Sequence, residues 1–251
     1  MAASTGHPAV SRLYGAERFL KAVVDDRDGP LPVLLLGLTM LAGVVDATSI
    51  LRLGHVFVAT MTGNLLFIGL GAAGAKGFGV GICAMSLGGF TIGAVIGGHE
   101  CRAAQSHRGR AFRNVLVTKA VCATAVTVTV VVAGPHLAVG VRDAVVIVLA
   151  LSMGTQLALI RYLKVPDLMT VVLTLTITGA ITEWNRGSWD PIMLRRGLAL
   201  FAFALGGTSG ALLVLNIGAG ASLALGLAII IVVGAGAHPV SNSQEGWTSP
   251  H

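Results

Sequence analysis

Apolar residues in this chain do not alternate with polar ones as on a half-buried strand, nor stripe one face as on a soluble helix. They run in near-continuous blocks of roughly 20 residues, the length that carries an α-helix across about 30 Å of hydrocarbon. Eight blocks stand out, at about 31–51, 56–73, 78–98, 115–133, 144–160, 166–182, 197–215 and 219–236. The pattern predicts an all-α, polytopic helical membrane protein with six to eight transmembrane segments. Met1 to Gly29 is polar and precedes the first block, so no signal peptide is expected. Within it Leu13, Leu20 and Val24 could share one face of a helix lying on the membrane, or the stretch is a plain tail. The chain turns polar again over 238–251, where a disordered C-terminal tail is expected. A single transmembrane domain over 30–237, between an N-terminal tail (1–29) and that C-terminal one, is the predicted organisation.

Two places break the pattern. Asp46 puts an acid deep inside the first block, and Thr60-Met61-Thr62-Gly63-Asn64 interrupts the second. Composition agrees with the membrane reading. Only 11% of the 251 residues are charged and 54% are hydrophobic, whereas a soluble domain carries about 25% charged residues to cover its surface. The mean hydropathy is +0.83. A formal charge of +6 would suggest nucleic acid in a soluble protein. Here the arginines sit in short loops between apolar blocks, so they read as anchors at the lipid bilayer, with no nucleic acid partner.

The two halves resemble each other. Asp46 in VVDATSILRL aligns with Gln156 in GTQLALIRYL, Thr60–Gly63 with Thr176–Gly179, and Gly93 and Gly97 with Gly206 and Gly210. This predicts repeat halves of about 31–133 and 144–236. Lysine and arginine placement then discriminates between topologies. With eight spans and the N-terminus inside, nine basic residues lie inside and seven outside. If the second and sixth blocks instead dip in and return, thirteen lie inside and three outside. The second arrangement obeys the positive-inside rule, puts the N-terminus in the cytoplasm and makes the halves inverted. Both blocks are nevertheless long enough to span, so both topologies stay open.

The chemistry follows from depth. Asp46 lies about fifteen residues into its segment, roughly 22 Å at 1.5 Å per residue, where an ionised carboxylate costs several kcal/mol unless paired, hydrated or protonated. Thr39, Gly43, Asp46 and Ser49 share a helical face that should point into the bundle. Asp46, Thr60, Thr62, Asn64 and Gln156 are therefore the candidate residues for binding a small solute or ion, Asp46 as the proton or cation site. The plainer alternative is an acid hydrogen-bonded for packing alone. Lys119, the one base inside an apolar block, could meet Asp46 in the eight-span topology and would snorkel to water in the six-span one. Gly63 permits a break in the second segment, and non-helical backbone at that depth is tolerated only against protein or a water-filled cavity. Gly93, Gly97, Gly206 and Gly210 read as close-packing positions.

Several signals lead nowhere. Gly69, Gly71 and Gly74 match a dinucleotide fingerprint formally, but no strand precedes them and no acid follows at the needed spacing. His99, Glu100 and Cys101 are sequence neighbours and make a poor metal site. His55 is an interfacial histidine or a proton relay. Cys83, Cys101 and Cys122 form no disulfide framework. No catalytic residue, cofactor or metal is predicted, and an oligomer is permitted.

The run Gly43-Val-Val-Asp46-Ala-Thr-Ser, followed by Val56-Phe-Val-Ala-Thr-Met-Thr-Gly-Asn64, resembles the signature of the YoaK-like integral membrane proteins of bacteria. Met153-Gly-Thr-Gln156 and Val165-Pro-Asp167 are similar to elements of that family's second half. The resemblance covers about 31–236 and departs at Leu175, where the family tends to show glycine after threonine. It implies a multi-pass protein of the inner membrane and no established substrate. A secondary transporter is the reading that Asp46 and the interrupted segment favour; a non-transporting structural or accessory membrane protein is the alternative.

Overall fold

The computed structural model describes residues 28–105, 107–165 and 191–242. Within them lie seven helices and no strand: α1 (Leu31–Arg52), α2 (Met61–Ala72), α3 (Val80–Ala103), α4 (Arg108–Ala133), α5 (Val139–Leu163), α6 (Pro191–Asn216) and α7 (Ala219–Asn242). The protein is an all-helical membrane protein, and six of these helices are long and apolar enough to cross a bilayer. The exception is α2. Its 12 residues reach only about 18 Å, well short of the hydrocarbon thickness. The sixth apolar block (166–182), with Thr176 to Gly179, lies outside the described residues, as do 1–27 and 243–251.

Local chemistry sets the helix ends. Pro32 sits in the first turn of α1 and Arg52 in its last, each where the helix tolerates it best. The His107 ring nitrogen accepts the backbone N–H of Arg110 at 3.2 Å and so starts α4 at Arg108. That is two turns before the apolar block, because the polar turns obey capping rather than hydropathy. Lys164 closes α5 in the left-handed conformation, with φ 50°.

Close contacts fix the direction of each helix. Gly89, Gly93 and Gly97 of α3 meet Ile147, Leu151 and Thr155 of α5 in ascending order, so α3 and α5 are parallel. Gly206 and Gly210 of α6 meet Met40 and Val44, so α1 and α6 are parallel too. Gly37 meets Val233, and Gly226 meets Leu41, so α7 runs opposite to α1. The Gln156 side chain reaches the Leu38 carbonyl, while Leu41 and Val45 share a cavity with Leu149, Ser152 and Met153. Hence α1 and α5 are antiparallel.

Because α3 follows α5, α1 and α3 also run in opposite directions. The chain between them, including α2, therefore leaves and re-enters on one face. The second segment dips and returns. In the same way α5 and α6 are antiparallel, so α5 ends and α6 begins on one face. The described helices thus follow the six-span arrangement.

α1 and α5 form the centre. Buried positions make up 67% of the apolar stretch of α1 and 61% of that of α5, against 33% or less in the other four spans. The outer helices instead present Ile92, Val95, Val121, Val132, Phe201 and Val232 outward, an apolar surface suited to lipid chains and unsuited to water. Lipid bilayer contact follows.

Candidate functional site

Asp46 stands six residues before the end of α1, about 9 Å below it, and it does not face an empty path. Its Oδ1 accepts the backbone N–H groups of Val58 and Ala59, each at 2.8 Å. Its Oδ2 accepts the N–H of Thr60 at 3.0 Å and the Thr60 hydroxyl at 2.7 Å. Four donors fill the acceptor sectors of a carboxylate, and the residue is 3% exposed. The chain reaches down to these contacts through a turn at Gly54 (φ 101°) and His55 (φ 54°), and α2 begins immediately afterwards. Asp46 therefore satisfies the loop that precedes a buried helix N-terminus, where a negative charge also complements the helix dipole.

Asn64 completes the staple. Its side-chain oxygen accepts the Phe57 N–H at 2.9 Å and its nitrogen donates to the Phe57 carbonyl at 2.7 Å, as a strand partner would. The Ser86 hydroxyl of α3 donates to the same carbonyl at 2.7 Å. Every backbone polar group so paired is one that no helix could satisfy at this depth. Gly63 plays a different part from the break expected of it. It lies inside α2, and a Cβ there would overlap the Phe57 ring. The break itself falls upstream, at residues 53–60. Phe57 stacks on Phe67 with centroids 5.3 Å apart, Phe78 meets Phe67 tilted at 4.9 Å, and the three hold α2 against the start of α3.

The remaining candidates divide. Thr60 and Gln156 come together on a cavity of about 10 Å³ that Ala42, Phe90, Met153 and Phe203 also line. Gln156 donates to the Leu38 carbonyl at 3.1 Å, and its side-chain oxygen is buried with no partner. Thr62 is exposed on α2 and is not brought to the site. Lys119 is fully buried, yet it neither meets Asp46 nor reaches water. Its Nζ lies 3.3 and 3.4 Å from the carbonyl and hydroxyl oxygens of Ser152 and 3.6 Å from the Met153 sulfur. Met153 lines both the Thr60–Gln156 cavity and the one beside Lys119.

The four packing glycines sit at close helix–helix approaches. A Cβ on Gly93 would overlap the Leu151 carbonyl, and one on Gly206 the Met40 carbonyl. On Gly97 it would come within 2.7 Å of the Thr155 Cα, and on Gly210 within 3.0 Å of the Val44 Cα. Gly43 and Gly154 make the reciprocal approaches, against Phe203 and Phe90. Met40 and Leu151, Gly43 and Gly154, and Val44 and Thr155 are each 111 apart, while Gly93 and Gly206, and Phe90 and Phe203, are 113 apart.

Phe57, Ser86 and Met153 were not foreseen. Ser86, a hydroxyl in the middle of an apolar block, was the one with a readable signal.

Residues 34–236 match the family described as protein of unknown function (DUF1275). The chain belongs to the DUF1275 family. No curated protein and no solved structure matches it. In this DUF1275 chain the matched region begins inside α1 and ends inside α7, so Asp46, the dipping loop and the α1–α5 centre all lie within it. Among the described residues no cluster of three metal-ligating side chains occurs.

Proposed function

We propose that this protein is a secondary transporter of a small solute or ion, working through the centre between α1 and α5, with its N-terminus in the cytoplasm of a bacterial cell. The observation that carries this reading is the dipping segment, whose half-helix α2 begins at membrane depth beside a cavity lined by Thr60 and Gln156. Transporters place discontinuous helices at their binding sites, at the interface of inverted repeats. The reciprocal glycine contacts at constant offsets support such a repeat, because α1 packs on α6 as α5 packs on α3. Among the described residues eight Lys and Arg residues fall on the face where α1 begins and three on the other, which supports the orientation.

Within this reading Asp46 anchors the fixed part of the site and is not the ion ligand, since its four acceptor sectors are taken. The solute-facing groups are Thr60 and the free oxygen of Gln156. No catalytic role is assigned to the Asp46–Thr60 pair, because the carboxylate is held by backbone donors. One observation favours the alternative of a static structural protein: the central cavities are small, at about 10 and 20 Å³.

A substrate-independent test separates the two. In a cysteine-free background, a single cysteine replacing Leu157, beside the cavity, is challenged with a membrane-impermeant thiol reagent from each side. Transport predicts measurable labelling from both sides, as the centre opens alternately. A static bundle predicts none from either.

A further inference from the structure

The second central cavity, of about 20 Å³, lies where α1, α4, α5 and α7 meet. That volume admits one water or one monatomic ion and nothing larger. Three polar side chains reach it: Lys119 and Thr127 of α4 and Ser152 of α5. Leu41, Leu223, Ile230 and their neighbours make the rest of the wall apolar.

Two features there are out of keeping with the rest of the bundle. Lys119 is an amine with no carboxylate beside it among the described residues, and its three neutral neighbours stand at 3.3–3.6 Å. Such a group is costly at membrane depth unless something compensates it. Asp46 is fully engaged by the loop, and Glu100 of α3 is held by the Thr118 hydroxyl. Thr127 is the second anomaly. Thr39, Thr48, Thr91 and Thr129 each return their hydroxyl to the carbonyl four residues back. The Thr127 hydroxyl oxygen is buried and makes no such bond. The ammonium thus donates only to neutral atoms, the Ser152 carbonyl and hydroxyl and the Met153 sulfur, and the Thr127 hydroxyl on the same water-sized space has no partner.

We propose that Lys119, Ser152 and Thr127 form a buried site for a single small monovalent anion of the chloride class. The ammonium supplies the charge, and the Ser152 and Thr127 hydroxyls turn their hydrogens to the ion. The apolar remainder of the wall suits a weakly hydrated halide and rejects larger or polyvalent anions on size and charge. The site is distinct from the Thr60–Gln156 cavity and independent of the transport reading, because binding is read without any flux.

The test is a thermal melt of the full-length protein in detergent, followed by intrinsic fluorescence. Sodium gluconate is exchanged for sodium chloride or bromide at constant ionic strength. The expected result is a saturable rise of about 5 °C or more with halide, as for any ligand that binds only the folded state. The Lys119→Met variant should fold and lose the response. The Thr127→Val variant, which keeps the side chain's shape, should raise the half-saturating chloride concentration about tenfold through one lost hydrogen bond. If Lys119→Met does not fold, Thr127→Val alone carries the test. A melting temperature equal in chloride and gluconate, which is the outcome for a cavity holding only water, overturns the proposal. So does a halide response that persists in Lys119→Met, or one left unshifted in Thr127→Val.

Discussion

Replacing Asp46 by Asn separates an anchor from an ion ligand. The carboxamide oxygen can still accept the Val58 and Ala59 N–H groups, at 2.8 Å in the wild type. Its amide nitrogen, however, then faces the Thr60 N–H, a donor against a donor where Oδ2 accepted at 3.0 Å. The Thr60 hydroxyl can rotate and accept, so one backbone N–H is left unpaired. A buried donor without a partner costs about 1–3 kcal/mol, and losing the charge from the two remaining bonds costs about 1 kcal/mol each. The sum is about 3–5 kcal/mol, or about 6–20 °C in melting temperature at about 2–4 °C per kcal/mol for a chain of this size. The assay is thermal unfolding in detergent followed by a thiol-reactive dye, since Cys83 and Cys101 are buried and free in the folded protein. Amide exchange should accelerate at residues 58–60 in the same variant. A D46N protein that melts within about 2 °C of wild type, with unchanged exchange at 58–60, would refute the anchor and return Asp46 to the role of ligand.

Other expectations follow from the same geometry. Gly89→Ala, whose new Cβ would sit 2.7 Å from the Ile147 carbonyl, should lower the melting temperature. The adjacent Gly88→Ala, with nothing within 4 Å, should leave it unchanged or raise it by up to about 4 °C, from about 1 kcal/mol of helix preference. In a cysteine-free background, single cysteines replacing Arg52 and Gly74, at the two ends of the dipping segment, should label from the same face of the membrane. Labelling of the two from opposite faces refutes the dipping second segment. Arg108→Gln should destabilise strongly, by about 3–5 kcal/mol, because it strips a buried pair to Asp28 at 2.8 Å and a bond to the Leu163 carbonyl.

Much of the fold was legible because membrane length and glycine spacing are written directly in the chain. The apolar blocks gave the long helices, and Gly93, Gly97, Gly206 and Gly210 lie at close helix–helix contacts. Charge counting had already favoured a returning second segment before the helix directions required it. The site was less legible, for a physical reason. Asp46 is bound by backbone N–H groups of Val58, Ala59 and Thr60, and a backbone donor has no sequence signature. A carboxylate in an apolar run therefore looks the same whether it awaits an ion or holds a loop. Asn64 imitating a strand partner for Phe57 is hidden likewise, since it depends on where the loop lies.

The exchange of partners between the halves also bears on how the chain is made. Gly43 meets its neighbours at Phe203 and Gly206, roughly 160 residues later. At about 5–20 residues per second of synthesis, α1 waits about 8–30 s after insertion before its counterpart leaves the ribosome. Asp46 can engage the following loop almost at once, so the helix shields its own acid during the delay. Its glycine face stays bare until α6 arrives. A nascent chain stopped after α4 therefore holds two bare grooves, on α1 and α3, and is a natural client for insertase and quality-control machinery.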